Sequence, residues 1–256
     1  MPLKGVITDR TGETFTSNKG ETIRILEYFN CENCTIIFNE KDIVYNKIYR
    51  HIKNGGVNNP HLLSVHNVGF LGEGVYKSIN NRKKTIAYSK WNSMLERCYS
   101  EKLQEKHPTY KGCSVTKEWH NFQNFAKWYE DNYNPKTMKG WDLDKDILIK
   151  GNKVYSPETS CFVPNEVNTI FISCKNKRGK HPIGVSFNKQ NKIFISQTSL
   201  EKNKIYLGSF NTPEEAFQTY KIFKEAYIKE TADKWKDQIT EQVYQAMYNY
   251  KVEITD

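Results

Sequence analysis

The feature that most constrains the fold is a change of hydrophobic period between Ile183 and Ile222. Apolar residues alternate with polar ones in the first part of this stretch, and after Thr212 the spacing lengthens to that of a helix. Pro213 follows Thr212 as the first helical residue, and Glu215, three residues after Thr212, completes a capping box. The pattern therefore predicts three short strands followed by a helix.

Positive charge is concentrated around the same stretch. From Lys175 to Phe210 the chain carries eight lysine or arginine residues and one acidic residue, Glu201, so the segment supplies +7 of a total net charge of +9. A basic excess confined to one small sheet favours contact with phosphates, because neutralising phosphates releases condensed counterions. The other interpretation is a solvated, lysine-rich surface.

The segment resembles the AP2 DNA-binding domain, in which three antiparallel strands lie in the major groove and a helix packs behind them. The resemblance rests on Gly184-Val185, Phe194, Tyr206-Leu207-Gly208, Phe210 and Glu215-Ala216. It implies that the partner is double-stranded DNA.

Contacts with DNA are expected from lysines, amides and hydroxyls. Ser186 and Asn188 stand where that family often has arginines on the first strand, which favours such contacts over arginine–guanine pairs. Phe194 and Tyr206 have the alternative of packing against the helix. The residues predicted to bind DNA are Lys177, Arg178, Lys180, Ser186, Asn188, Lys192, Phe194, Lys204 and Tyr206.

A second informative segment runs from Trp141 to Asn168. It contains an acidic strand, a Gly151-Asn152 turn, a second short strand and a helix that begins near Pro164. Such a ββα hairpin can hold one divalent metal between a strand carboxylate and a helix side chain, which suits phosphodiester hydrolysis. Asp142 and Asp146 alternate with Asp144 and are expected on the same strand face, where they either supplement a metal site or solvate an exposed edge.

The hairpin segment resembles the HNH endonucleases, in particular the phage or homing type that joins this nuclease motif to an AP2-like module. Residues 91–99 and 118–125 resemble segments that precede the motif in those phage proteins, so the resemblance covers most of residues 84–222. Carried over by position, it implies Asp144 and Asn168 as metal ligands, with Mg²⁺ or Mn²⁺ as the cofactor. It places Lys145 where the family has its general-base histidine, and Thr159 where a middle asparagine often lies.

The resemblance implies Asp144, Lys145 and Asn168 as the catalytic residues. The lysine at position 145 nevertheless leaves two functions open. A protonated lysine cannot accept a proton from water, but it can hold a phosphate or stabilise a transition state. The first function is a metal-dependent DNA endonuclease. The second is a nuclease-inactive DNA-binding regulator, or an inhibitor of a phage-defence system, that keeps the hairpin as a scaffold. His120 and His181 are alternative bases, although structural or solvated roles are commoner for such histidines.

The whole sequence predicts an α+β fold in four parts. These are a small β-module (1–80), a helical region with the HNH-like hairpin (84–174), an AP2-like domain (181–236) and a C-terminal helical tail (237–256). The β-module either binds DNA or acts as a spacer. Residues 99–116 are expected to form a polar loop, and residues 231–256 a helix that packs on the preceding helix or pairs two chains, which leaves a homodimer or a protein partner open.

The six cysteines and the N-terminus bear on the compartment. No secretory signal is recognisable, and no apolar run approaches the roughly 18 residues of a membrane helix, so we expect a cytoplasmic protein without a membrane partner. If the chain is phage-encoded, this is the cytoplasm of a bacterial host. Cys31 and Cys34 have the spacing of a zinc pair, but no second pair follows, and the strand-like residues beside them favour buried cysteines without structural zinc.

Overall fold

The computed structural model describes residues 8–171, 180–200 and 203–256. By its contacts the chain divides into two compact units, residues 1–106 with 117–127, and residues 107–116 with 128–256. Both units contain helices and strands, so the predicted α+β class is confirmed. The predicted DNA-binding residues Lys177 and Arg178, and also Cys174, lie outside the described residues.

The first unit begins with an antiparallel sheet whose strands follow one another in sequence order. The strands are β1 (Thr14–Thr16), β2 (Thr22–Asn30), β3 (Asn33–Phe38) and β4 (Asp42–Lys47), and helix α1 (Tyr49–Lys53) follows. Because side chains alternate along β2, Ile23 and Ile25 lie on the same face and pack in a core that also contains Cys34 and Ile52. Cys31 is exposed.

Two helices form the rest of the core of the first unit. A short hairpin, β5 (Ile79–Asn80) with β6 (Lys83–Lys84), precedes α2 (Ile86–Tyr99), α3 (Glu101–Lys106) and α4 (Phe122–Asn132), and the unit boundary runs within α4. Trp91 is fully buried, and its Nε1 donates a hydrogen bond to the carbonyl oxygen of Trp119 at 2.7 Å.

The predicted loop over residues 99–116 is wrong in part, because α3 occupies its beginning. Since α3 buries none of its residues, it lacks the apolar periodicity that reveals a helix in a sequence.

The second unit contains two short strand pairs. Its first elements are β7 (Ser114–Val115), β8 (Asp142–Asp144), β9 (Val154–Tyr155), β10 (Cys161–Val163) and α5 (Asn165–Ile170). β8 pairs with β10 in antiparallel fashion, and β7 pairs with β9 in parallel. The ring of Phe162 on β10 lies 4.9 Å from Tyr133 and 5.3 Å from Trp128, between ring centroids. This aromatic cluster anchors the β8–β10 pair.

The predicted sheet and helix of the second unit are confirmed. β11 (Val185–Asn188), β12 (Ile193–Leu200) and β13 (Asn203–Phe210) form an antiparallel sheet in that order, and α6 (Pro213–Trp235) follows with its capping box in place. Val185 packs with Phe217 and Tyr220 of α6. Gly184 has a φ of +75°, and a Cβ added there would lie 2.0 Å from the Tyr220 ring, so only glycine fits.

The C-terminal residues form a second, shorter helix. The single helix predicted over residues 231–256 is wrong, because α6 ends at Trp235 and α7 begins at Glu241 after a turn. Val243 and Met247 are buried, as their helical spacing suggests. Beyond α7, Val252 enters the core between α6 and the three-stranded sheet.

None of the helices in residues 8–171, 180–200 and 203–256 combines the length and apolar composition needed to span a bilayer.

Candidate functional site

The hairpin of β8, β10 and α5 brings acidic side chains next to the start of a helix. On the ladder, Asp142 lies opposite Val163 and Asp144 lies opposite Cys161. Leu143, between the two aspartates, is buried on the other face of β8. Asp142 and Asp144 therefore share one face of β8 as predicted, but the prediction is wrong for Asp146, because the strand ends at Asp144.

Asp142 is the aspartate that meets helix α5. Its Oδ2 accepts hydrogen bonds from Nδ2 of Asn165 at 3.2 Å and from Nδ2 of Asn168 at 3.3 Å. Sequence reasoning gave Asp142 only a supplementary role and missed Asn165. The signal was present, because residues three apart on a helix, such as Asn165 and Asn168, point to one side.

Asp144, the aspartate that the resemblance favours, is bound locally. Its Oδ1 accepts the backbone N–H groups of Asp146 and Ile147, each at 2.8 Å, and so shapes the turn that leaves β8. Burial and the neighbouring charge of Asp146 raise the pKa of Asp144 to about 6, against the opposing effect of the two N–H donors. Asp144 is thus a strand carboxylate with one oxygen engaged by the backbone.

The raised pKa of Asp144 predicts a pH-dependent stability. A carboxyl group whose pKa rises on folding binds its proton more tightly in the folded state, so stability falls as the pH rises from about 4 to about 6. We expect the isosteric Asp144→Asn variant to gain stability relative to the unmodified chain across that window. Denaturant unfolding of both proteins from pH 4 to pH 7 measures the difference, and a difference independent of pH contradicts the prediction.

Lys145 points into the hairpin. The residue is only 7% exposed, its Nζ lies 3.3 Å from Oδ2 of Asp146, and the same nitrogen lies 5.8 Å from the centroid of the Tyr155 ring. Lys145 is therefore held by Asp146 and Tyr155 instead of being presented to a substrate.

Two side chains close the long loop between β8 and β10. Nδ2 of Asn152 donates to the carbonyl oxygens of Lys145 at 2.6 Å and of Val154 at 2.7 Å. Oγ1 of Thr159 donates to the same Val154 carbonyl at 2.8 Å and lies 3.0 Å from Oγ of Ser156. The side-chain amide that holds the backbone at Lys145 therefore belongs to Asn152. Thr159, which stands where the resemblance expects an asparagine, does not supply it.

The hairpin contains side chains of the types that hold a divalent metal. Asp142 and Asp144 carry carboxylates on the strand, and Asn168 on the helix carries an amide whose Nδ2 donates to Asp142. Mg²⁺ and Mn²⁺ prefer oxygen donors, and Mg²⁺ is commonly held by one or two carboxylates together with waters and substrate phosphates. Among the described residues, no three histidine, cysteine, aspartate or glutamate side chains converge in a way that could hold a metal ion.

The three-stranded sheet presents a polar face away from α6. Nε2 of Gln197 donates to Oγ of Ser186 at 3.2 Å, and the hydroxyl groups of Tyr206 and Ser209 lie 2.7 Å apart. The ladder sets Gln197 opposite Tyr206, and Lys204 follows on the same face two residues away. Tyr206 is 64% exposed. This outer face includes Ser186, Ile195, Gln197, Lys204, Tyr206 and Ser209, and sequence reasoning missed Ile195, Gln197 and Ser209.

Some predicted DNA-binding residues lie elsewhere. The structure places Phe194 on the helix side of the sheet, opposite Phe187 and Phe210 and packed on the core, because strand alternation puts it one step out of phase with Ile195. Phe194 therefore does not lie on the outer face. Oδ1 of Asn188 accepts the N–H groups of Gln190 and Asn191 and so stabilises the β11–β12 turn.

Four exposed lysines lie on the three-stranded sheet or next to it in the chain. Lys180 precedes β11, Lys189 and Lys192 lie in the β11–β12 turn, and Lys204 lies on β13; all four are exposed. The two alternative bases have structural surroundings. His181 packs near Phe194 at 5.5 Å between ring centroids, and Nε2 of His120 lies 3.5 Å from the Tyr99 hydroxyl.

Comparisons of the chain with protein-family models, with curated proteins and with solved structures found no match.

Proposed function

We propose that this protein is a metal-dependent DNA endonuclease in which the three-stranded sheet binds double-stranded DNA and the β8–β10–α5 hairpin hydrolyses a phosphodiester bond. The observation that carries the nuclease part is the contact of Asp142 with Asn168, which joins a strand carboxylate to a helix amide across the hairpin. A one-metal site of the HNH type also joins a strand carboxylate to a helix side chain, but the resemblance implies Asp144 for the strand ligand, two positions further along the same face of β8.

The outer face of the sheet supports the DNA-binding part. It offers hydroxyl and amide groups, which can donate to and accept from base edges, and an exposed tyrosine ring. Exposed lysines at its margin suit phosphate oxygens. The opposite face is filled by the core with α6, so the outer face is the one left to receive a groove.

Each hairpin residue has a defined task in the proposed reaction. A bound Mg²⁺ or Mn²⁺ would supply Lewis-acid stabilisation of the leaving oxygen. Asp142 and Asn168 would hold the ion, Asn165 would orient the carboxylate of Asp142, and Asp144 would provide the second carboxylate of the strand. Because Lys145 is paired with Asp146, the proton of the attacking water would pass to solvent and not to this lysine.

The burial of Lys145 favours a second candidate function. An amine held between Asp146 and Tyr155 is a stabilising element of the hairpin, as expected of a motif kept as a scaffold. The chain would then bind DNA without cutting it and act as a regulator or as an inhibitor of another system.

Supercoiled plasmid separates the two candidates. We expect the purified chain to convert plasmid to the nicked form with Mg²⁺ or Mn²⁺, and to stop when the metal is removed with EDTA. DNA binding in EDTA, measured by fluorescence anisotropy over a range of salt concentrations, gives the second result. Binding without metal-dependent nicking from roughly pH 6 to pH 9 supports the regulator, and absence of binding contradicts both candidates.

A further inference from the structure

The hairpin and the sheet of the second unit are joined by contacts outside the chain segment that connects α5 to β11. Helix α6 makes the first of these contacts. Its beginning packs on the sheet through Phe217 and Tyr220. Its end contacts the hairpin, because both oxygens of Glu166 accept from Nζ of Lys234, at 2.7 and 2.8 Å, and Oε2 also accepts from Nε1 of Trp235.

An aromatic pair strengthens the contact at the end of α6. The ring of Trp235 meets the ring of Trp141 edge to face, with 6.2 Å between centroids. Trp141 directly precedes Asp142, the aspartate that meets α5. The end of α6 is thus fixed next to the strand that carries the candidate site.

Residues 249–256, which we name the end segment, make the second set of contacts. Nζ of Lys150, in the hairpin loop, donates to the carbonyl oxygen of Lys251 at 2.8 Å and to Oδ2 of Asp256 at 2.7 Å, and lies 4.8 Å from the centroid of the Tyr250 ring. The end segment also binds α6, because the N–H of Val252 donates to Oε1 of Glu225 at 2.9 Å.

We infer that α6 and the end segment hold the sheet and the hairpin at one fixed spacing, so that DNA is cut at one fixed offset from the sequence bound by the sheet. This inference rests on the proposed function. The rise of about 1.5 Å per residue places Phe217 and Trp235 about 27 Å apart along α6. One turn of B-DNA, about 10 base pairs, spans about 34 Å, so the offset falls within about one turn of the bound sequence.

Two residues act here as positioning residues: Glu166 of α5, which contacts the end of α6, and Lys150 of the hairpin loop, which contacts the end segment. The Lys150→Met, Glu166→Ala double variant removes the ion pairs at both places and leaves the aspartates of β8 and the lysines near the sheet unchanged. A matched control, Lys153→Met with Glu214→Ala, removes the same charges. Lys153 donates to the carbonyl oxygen of Thr109, and Glu214 lies in the first turn of α6.

The position of the cut on end-labelled DNA carrying a selected binding site tests the inference. We expect cuts confined to a window of a few base pairs for the unmodified chain and for the control. The double variant should bind with unchanged affinity and give cuts spread over about a full turn or more. A narrow, unshifted window for the double variant, or scattered cuts for the unmodified chain, overturns the inference.

A tethered probe separates this result from the proposed nuclease. Cys31→Ser and Cys174→Ser leave a single introduced cysteine, Glu158→Cys, at an exposed loop position of the hairpin for attachment of an iron chelate. The chelate cleaves DNA with hydroxyl radicals, whether or not the hairpin is a nuclease. A narrow radical-cleavage window without metal-dependent nicking keeps the fixed spacing and refutes the endonuclease. Scattered radical cleavage refutes the fixed spacing, even if nicking occurs.

Discussion

We expect the Asp142→Asn variant to lose metal-dependent nicking by at least about 100-fold, which corresponds to about 2.7 kcal/mol of transition-state stabilisation. Asparagine keeps the size of the side chain but removes the negative charge that would hold a cation. In the unmodified chain, Oδ2 of Asp142 accepts hydrogen bonds from both Asn165 and Asn168. The substitution replaces this carboxylate with an amide, which is a weaker acceptor. The measurement is the initial rate of plasmid nicking at saturating metal.

Two comparisons make the Asp142 result specific. Asp237→Asn, in the exposed turn after α6, removes the same charge and should leave the rate unchanged. DNA affinity in EDTA should be equal for all three proteins, because Asp142 lies outside the proposed DNA face. If Asp144→Asn abolishes nicking while Asp142→Asn retains it, Asp144 alone is the strand ligand and Asp142 only orients α5.

The sheet and α6 were predictable because local chemistry specifies them. Alternating side chains define the strands, and the capping box at Thr212 defines the start of α6 through hydrogen bonds between residues three apart. The membership of the outer face was less predictable. A register shift between Ser196 and Gln197 changes which residues of β12 and β13 face the same way, and a bulge of this kind depends on the pairing of whole strands.

The candidate site shows the same division between local and tertiary information. Alternation was enough to place Asp142 and Asp144 on one face of β8. The contact of Asp142 with Asn165 and Asn168 depends on the angle at which α5 leaves the hairpin, and no local pattern encodes that angle. The burial of Lys145 was unexpected, because lysine is seldom buried without a partner, and here Asp146 and Tyr155 provide one from within the hairpin.

The exposed lysines around the outer face give the second large expected effect. We expect replacement of Lys180, Lys189, Lys192 and Lys204 by glutamine to lower DNA affinity at least about 100-fold near 0.1 M salt. Each lysine that neutralises a phosphate contributes about 0.9 to the slope of log affinity against log salt, so the slope should become shallower by up to about 3.6. Fluorescence anisotropy titrations at several salt concentrations measure both quantities.

A variant of equal charge separates a defined interface from general attraction. Lys136, Lys139, Lys153 and Lys236 are exposed in the same unit, outside the sheet, and their replacement by glutamine lowers the net charge by the same four units. Long-range attraction depends on the total charge and would weaken equally in both variants, whereas phosphate contacts depend on where the lysines lie. A slope unchanged in the control and shallower in the sheet variant therefore locates the DNA on the outer face. Equal losses in both would mean that the sheet carries only a solvated basic surface.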